Sequence, residues 1–280
     1  MNHVDVYGAP HSPWVQAVLL GLHDAKINHA TTQLPPFQTF IRSGVMMPAA
    51  SIDGGAWRLE SADILQDIGF APVPDEQKKL VMSAWRGLAH RVDNAAIFWG
   101  NFALAGDTNP SLMLRVVNNF FRSFVVLNFF LLIRFLIFTG RSPDPENFGD
   151  QFLPFEDMLE TSNAPYLSGQ QPNSLDFLLF GMIQSHCSTY VPPIAALQND
   201  PRLAQLRAWI GAMQERFRDY EYLYSSVYFA PFAPPPRAVS RVERIPFWLG
   251  AVFMVVYFPI TVPLIALLSI RNRMKPKTNA

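Results

Sequence analysis

The chain carries a single cysteine, Cys187, in 280 residues. No intrachain disulfide can form, so stability must come from a packed core. Charge is scarce and balanced: 22 Lys and Arg face 22 Asp and Glu, together 16% of the chain. No basic stripe with interleaved aromatics occurs, which removes nucleic acid as an expected partner. The histidines at 3, 11, 23, 29, 90 and 186 are scattered, with no His/Cys pair at zinc-ligand spacing, and no metal is expected. There is no Walker loop and no G-x-G-x-x-G run. The opening run MNHVDVYGAP has no apolar stretch, which argues against a signal peptide there and for a reducing, cytosol-like setting for the bulk of the chain.

What the chain has in abundance is apolar residues: they make up 50% of it, and its mean hydropathy is positive. From Phe247 to Ile270 the run FWLGAVFMVVYFPITVPLIALLSI contains no charge; its 24 residues make about 36 Å of helix. A bilayer core is about 30 Å thick, so 247–270 is expected to be a transmembrane anchor, a buried core helix being the alternative. Arg237, Arg241 and Arg244 precede it and Arg271, Arg273, Lys275 and Lys277 follow, so the positive-inside rule orients it weakly. Pro259 and Pro263 would kink a spanning helix or turn a re-entrant one.

In residues 1–70 strand and helix alternate. HVDVYG reads as a strand. Pro13 to Ile27 reads as a helix, with Val15, Val18, Leu19 and Leu22 at helical period. HATTQL is a second strand. PAASID and AWRLE form a hairpin around the two-glycine turn Gly54-Gly55, and SADILQDIG is a short helix closed by Gly69. This predicts a βαβ unit, an irregular stretch and a ββα unit, a small α/β layer. The two prolines of FAPVPD, Phe70 to Asp75, mark a linker. Residues 76–218 then read as all-α, with helices over Glu76–Ala105, Phe148–Thr161, Leu175–Tyr190 and Asp200–Phe217, the last with Pro201 in its first turn. Between the first two lies an apolar insertion at 109–143. Its first half is amphipathic, with Arg115, Asn118, Asn119 and Arg122 on one face; from Phe124 to Phe138 only Asn128 and Arg134 are polar. Residues 219–246 read as a linker to the anchor.

Ser12 opens the Pro13 helix in YGAPHSPWVQAVLLGL. From this stretch alone its hydroxyl is either a helix cap or a group that does chemistry. Two further segments complete a pattern: MMPAASIDGGAWRLESADILQDI and PYLSGQQPNSLDFLLFGMI. In this order, over residues 3 to 218, they resemble the soluble glutathione transferases. The first resembles that family's strand–Ser-Pro–helix start, the second its Val-Pro…Glu-Ser…Ile-Leu pattern, and the third its "yl-Gly-Asp…Thr-x-x-Asp" segment. The resemblance implies a thioredoxin-like N-terminal domain followed by a glutathione transferase-type helical domain.

It also implies a site. Only a thiolate attacks electrophiles, and a hydroxyl at a helix N-terminus can donate a hydrogen bond to it where the helix dipole favours negative charge. That is the catalytic role the resemblance assigns to Ser12. Met47 and Pro48 match the family's X-Pro pair, whose bond is cis and whose first residue offers its backbone to the cysteinyl part of glutathione. Glu60 and Ser61 match the pair that grips the γ-glutamyl end: Ser61 at a helix start suits a carboxylate and Glu60 an ammonium. The plain reading of the same pair is that Ser61 caps its helix. Asn173 to Asp176 resembles the family's capping box, with a structural role. The chain departs from the family in SGVMMP, which lacks the basic or amide residue before the X-Pro pair and leaves Arg42 as the nearest substitute. It departs again in YLSGQQ, which lacks an Asp, and in the 109–143 insertion. Such insertions and C-terminal anchors occur together in membrane-attached relatives such as the ganglioside-induced differentiation proteins.

Two other features are weighed and declined. His11 beside Ser12 suggests a base, yet adjacent residues rarely point the same way at a turn-to-helix junction. Phe120, Phe121, Phe124, Phe129 and Phe130 could line an apolar pocket, but core packing or lipid contact explains them better. If Phe124–Phe138 crossed the bilayer, the helical domain could not close, so this segment is expected to lie in the interface, with Arg134 and Arg141 reaching the head groups.

The expectation is therefore a membrane-attached glutathione transferase-like enzyme that conjugates glutathione, its co-substrate, to lipophilic electrophiles. Its folded domains would face the cytosol. Its partners would be the lipid bilayer and glutathione, with a second copy or a membrane protein as a further one. A non-catalytic membrane-bound binding or assembly module on the same fold is the alternative, and a glutathione-dependent peroxidase or isomerase a third reading.

Overall fold

Alternating apolar residues make the first strand, β1 (Val4–Tyr7), the centre of the sheet: Val4 and Val6 are fully buried and Tyr7 nearly so. It pairs in parallel with β2 (His29–Thr32) and antiparallel with β3 (Ala49–Ile52), which pairs antiparallel with β4 (Arg58–Leu59). The order is β2-β1-β3-β4. The computed structural model describes residues 1–10, 12–32, 34–44, 46–89, 111–140, 149–187, 194–223 and 240–273.

Helix α1 (Pro13–Asp24) crosses from β1 to β2. All residues from Val15 to Leu22 are buried, the mark of a helix covered on both sides. One side lies against the sheet layer and α3 (Ser61–Asp67), the other against α7 (Ser174–Cys187). The backbones of α1 and α7 nearly touch: a Cβ at Gly181 would stand 2.4 Å from the Pro13 carbonyl oxygen. Helix α7, whose Phe177, Leu179, Phe180, Met182 and Ile183 are fully buried, also packs against α4 (Asp75–Ala89), and the helical remainder completes the chain. This remainder comprises α5 (Leu112–Phe138), α6 (Leu153–Ser162), α8 (Ile194–Asn199), α9 (Ala204–Arg216) and α10 (Arg241–Arg273). Short 3-10 turns at Asp150–Phe152 and Pro201–Leu203 introduce α6 and α9. A small mixed sheet leading into helices is the arrangement that the glutathione transferase resemblance implies.

The structure corrects several expectations. The irregular stretch after β2 contains a helix, α2 (Phe37–Ser43). The hairpin turn is longer than two glycines: Asp53 and Gly54 both take positive φ, and Gly55 donates its N–H to the Ile52 carbonyl. The helix expected over Glu76–Ala105 is described only to Ala89, and residues 90–105 lie outside the described residues. The helix α8 carries too few residues for its period to show. Part of the expected 219–246 linker is helical, because α10 begins at Arg241. Pro246, Pro259 and Pro263 all lie inside α10, which continues through them without reversing. Among the described residues it is the one helix long and apolar enough to cross a membrane, over Arg244–Thr261.

Helix α10 packs along α5. Phe247, Ala251 and Met254 form its buried face, and the rings of Phe120 and Phe253 stand 6.1 Å apart between the two helices. Val126 and Ile133 of α5 are buried and Phe130 packs on the core, while Phe121 is exposed. Phe120 thus packs between the two helices and Phe130 on the core. The side chains of Phe124 and Phe129 lie outside the described residues.

Candidate functional site

Sheet register decides which residues meet. Tyr7 stands opposite Ala49, and Ala49 opposite Leu59. Chain segments that leave this row emerge at one end of the sheet. From β1 the chain runs through Gly8 and Ala9 to Ser12. Into β3 it arrives through Met47 and Pro48. From β4 it leaves as Glu60 and Ser61. The sheet thus collects at one end Ser12, Met47, Pro48, Glu60 and Ser61, the residues to which the resemblance assigns the site.

The turn after β1 depends on glycine. Gly8 has φ +147, and a Cβ there would stand 2.4 Å from a Val15 methyl carbon, so this turn can pass close under α1 only without a side chain. The Ser12 carbonyl accepts the first helical bond, from the Gln16 N–H at 2.8 Å, and its own N–H donates to the Ala9 carbonyl at 2.9 Å. The Ser12 side chain makes no capping bond to α1. The plain cap reading of this hydroxyl therefore fails: its backbone holds the cap position and its side chain is not used there. His11 lies outside the described residues.

The Met47–Pro48 peptide bond is cis. Pro48 is buried and Met47 half-buried, with its Sδ 3.5 Å from the Ala9 N–H. Among the described residues, neither the N–H nor the C=O of Met47 makes a hydrogen bond. Unpaired main-chain groups at a sheet end can accept an extended peptide, as an added strand would pair there. Arg42 is exposed in the last turn of α2.

At the third segment the cap expectation is also corrected. Glu60, not Ser61, holds the N-cap position of α3, and no side chain caps the helix. The Glu60 carbonyl accepts the Ile64 N–H at 3.0 Å. Its φ of +74 is a conformation that costs a non-glycine residue about 1–3 kcal/mol and that clusters at ligand sites. The Glu60 side chain is exposed, and Ser61, the first residue of α3, is buried. The first-turn N–H groups of α3 and the Ser61 hydroxyl, which makes no hydrogen bond among the described residues, suit a carboxylate.

Sequence reasoning passed over Tyr7. It ends β1 beside this cluster, 1% exposed. Burial pushes its hydroxyl up to about 12, so near neutral pH it stays protonated and can only exchange neutral hydrogen bonds. The other notable polar cluster is structural, as the sequence suggests. Asp176 accepts from the Leu167 N–H (2.8 Å), the Asn173 N–H (3.1 Å) and the Trp209 indole (2.9 Å). Asn173 Oδ1 accepts from the N–H groups of Ser174 (2.8 Å) and Ala71 (3.0 Å).

Two surface concavities lie elsewhere. One, of about 350 Å³, is lined by His23, His29, Tyr220 and Tyr222 among others; the second runs from Leu159 to Pro165 and includes Gln205. Among the described residues no three or more His, Cys, Asp or Glu are grouped to hold a metal.

No family model and no curated protein matches this chain. Among solved structures it is similar to a diazinon-metabolizing glutathione S-transferase of the silkworm Bombyx mori, at 12% identity over 77% of this chain and 93% of that one, TM-score 0.42. It is also similar to a Tau class glutathione S-transferase of mango, Mangifera indica, at 12% identity over 82% and 96%, TM-score 0.46. A third is glutathione S-transferase I of maize in complex with an atrazine glutathione conjugate, at 15% identity over 82% and 99%, TM-score 0.42.

Proposed function

We propose that this chain is a membrane-attached glutathione transferase-like enzyme that adds glutathione to lipophilic electrophiles. The observation that carries this reading is the row Tyr7–Ala49–Leu59, which brings Ser12, Met47, Glu60 and Ser61 to one end of the sheet. In this reading the Met47 backbone pairs with the cysteinyl part of the tripeptide. Ser61 and the start of α3 take the γ-glutamyl carboxylate, and Glu60 takes its ammonium. The Ser12 hydroxyl, not engaged in capping, donates to the thiolate, and the α1 dipole adds to its stabilisation. Attachment rests on α10, with Trp248, Leu249, Val252, Val255 and Val256 exposed along it.

The test is a glutathione titration and a conjugation assay on the full chain in detergent, for the unmodified protein, Ser12→Ala and Ser61→Ala. Ser12→Ala is expected to keep glutathione affinity and melting temperature, since its side chain makes no cap bond. Its turnover should fall about 10- to 100-fold, the loss of a charge-assisted hydrogen bond of roughly 1.5–3 kcal/mol. Ser61→Ala should weaken binding instead. Absence of binding at millimolar glutathione would overturn the enzyme reading. It would favour a non-catalytic membrane-bound module on the same fold.

A further inference from the structure

Helix α2 is built inside out. Its buried residues are Thr39 and Ser43, one turn apart, both small and polar. The Ser43 hydroxyl donates back to the Thr39 carbonyl at 2.9 Å, and the Thr39 hydroxyl is buried with no partner among the described residues. Its large apolar residues face outward: Phe37 is 77% exposed, Phe40 51% and Ile41 56%. At about 100° per residue these three fill one continuous arc. Gln38 and Arg42, also exposed, form the polar edge beside it. Leu34 and Met46 extend the apolar surface at either end of the helix, 79% and 52% exposed. A helix on a water-facing surface turns its apolar stripe to the core; α2 turns it away.

The neighbour of α2 indicates what lies outside. Helix α2 touches α10, the one described helix with the length and composition to cross a membrane, and the outer face of α10 is apolar as well. The two exposed faces belong to adjoining helices, so an environment that covers one reaches the other. An apolar arc edged by Gln and Arg is the pattern of a helix lying in the plane of a bilayer surface, with the Arg stem buried and its head among the lipid head groups.

We propose that α2 is seated in the interface of a lipid bilayer, beside the point where α10 enters it. This rests on the membrane attachment proposed above. It adds a second contact in the N-terminal part of the chain, where the sequence shows only an irregular stretch. It also gives the candidate site an orientation. Met47 follows Ser43 by four residues, so the side of the site built by Met47 opens at the membrane surface. An apolar electrophile dissolved in lipid then reaches bound glutathione sideways from the bilayer, while glutathione itself arrives from water.

The test uses the full chain with its one cysteine replaced, Cys187→Ser, reconstituted in vesicles of phosphatidylcholine with a minority of phosphatidylglycerol. Single cysteines are introduced by Phe40→Cys on α2, Ile41→Cys as a second α2 position, and Val252→Cys on α10, all exposed. Each carries a nitroxide spin label. Relaxation of the label by oxygen, which partitions into lipid, is compared with relaxation by a water-soluble nickel chelate. The expected result is that oxygen dominates at 40, 41 and 252, with the α2 positions shallower than 252. Nickel dominating at 40 and 41 while oxygen dominates at 252 would overturn the seating of α2 and leave the membrane attachment standing. Nickel dominating at 252 would overturn both. Labels at 40 and 41 sheltered from both agents would mean that protein, such as a second copy of the chain, covers α2, and would overturn the lipid reading.

Discussion

His23 stacks on the Tyr220 ring with centroids 4.2 Å apart and lies 5.9 Å from Phe217. Tyr220 meets the His29 Nε2 at 2.7 Å, and His29 Nδ1 meets the Ile27 carbonyl at 2.8 Å. In neutral His29 the Nδ1–H therefore donates to that carbonyl and the Tyr220 hydroxyl donates to Nε2. These contacts fasten the segment after α9 to the turn between α1 and β2. The carboxylates nearby are Asp24, held by Arg216, and the flanking Asp219 and Glu221 that line the same concavity. Partial desolvation against the Tyr220 and Phe217 rings lowers the pKa of the exposed His23 below its usual 6.5, His29 when protonated lowers it further, and Asp24 opposes both. The unfolded chain then binds more protons than the folded one just below pH 6.5, so stability is fully present above that pH and falls as the pH drops. Melting temperature in detergent should decline on acidification from about pH 7.5 to 5.5, and His23→Gln should flatten that decline. An unchanged slope in His23→Gln would assign the acid sensitivity to another group.

Among the helices, α7 has the most elaborate start. The sequence carries Asn where the family pattern has Ser or Thr, and the structure shows what the amide does. Its Oδ1 reaches both the Ser174 N–H and the Ala71 N–H of the Phe70–Asp75 segment, and the Ser174 hydroxyl donates to the Ala71 carbonyl at 2.7 Å. The cap of α7 is thus also the clasp between the sheet layer and the helices. Asp176 is its anchor, with burial pushing its carboxyl above the usual range against the pull of its hydrogen bonds. Asp176→Asn places an amide NH2 against one of the donors that the carboxylate satisfied, and should cost about 1.5–3 kcal/mol in thermal or denaturant unfolding. Loss of less than about 0.5 kcal/mol would mean that relief of the buried charge outweighs the lost bonds. This element was legible because capping chemistry is local: Asn173 and Asp176 stand three apart in the chain. Strands β1, β2 and β3 were legible for the same reason, through short apolar runs between turn residues. Helix α2 was not, because its apolar residues face outward and its buried ones are Thr and Ser, the reverse of the pattern that marks a helix. The site was legible only through resemblance. Nothing local to Ser12, Met47 or Glu60 states that a sheet register will join them, and the positive φ of Glu60 has no sequence signal, since glycine is the residue expected there.

For the molecule as a whole, the decisive relation is that of α10 to the rest. Read from sequence, 247–270 is a tail that holds a separate folded body to a membrane. In the structure it is a wall of that body. Phe247, Ala251 and Met254, spaced four and three apart, bury one face, and the backbone of α10 approaches α5 so closely that a Cβ at Gly250 would stand 2.4 Å from the Phe120 carbonyl oxygen and 2.2 Å from Ser123 Oγ. Gly211, inside α9, is the internal comparison: it is exposed and has nothing within 4 Å of the added carbon. Alanine is the better helix former by about 0.8–1 kcal/mol. Gly211→Ala should therefore raise stability by about 0.4–1 kcal/mol. Gly250→Ala makes the same local change but forces two helices apart at a backbone contact, and should lower stability by about 1–3 kcal/mol despite its propensity gain. Thermal unfolding of the two variants in the same detergent reads the difference directly. Opposite signs mean that α10 folds as part of the domain, so that under the proposed attachment a membrane would hold the body by one of its own walls. Equal gains in both variants would mean that α10 stands away from α5, and the body would then turn freely on a flexible tether.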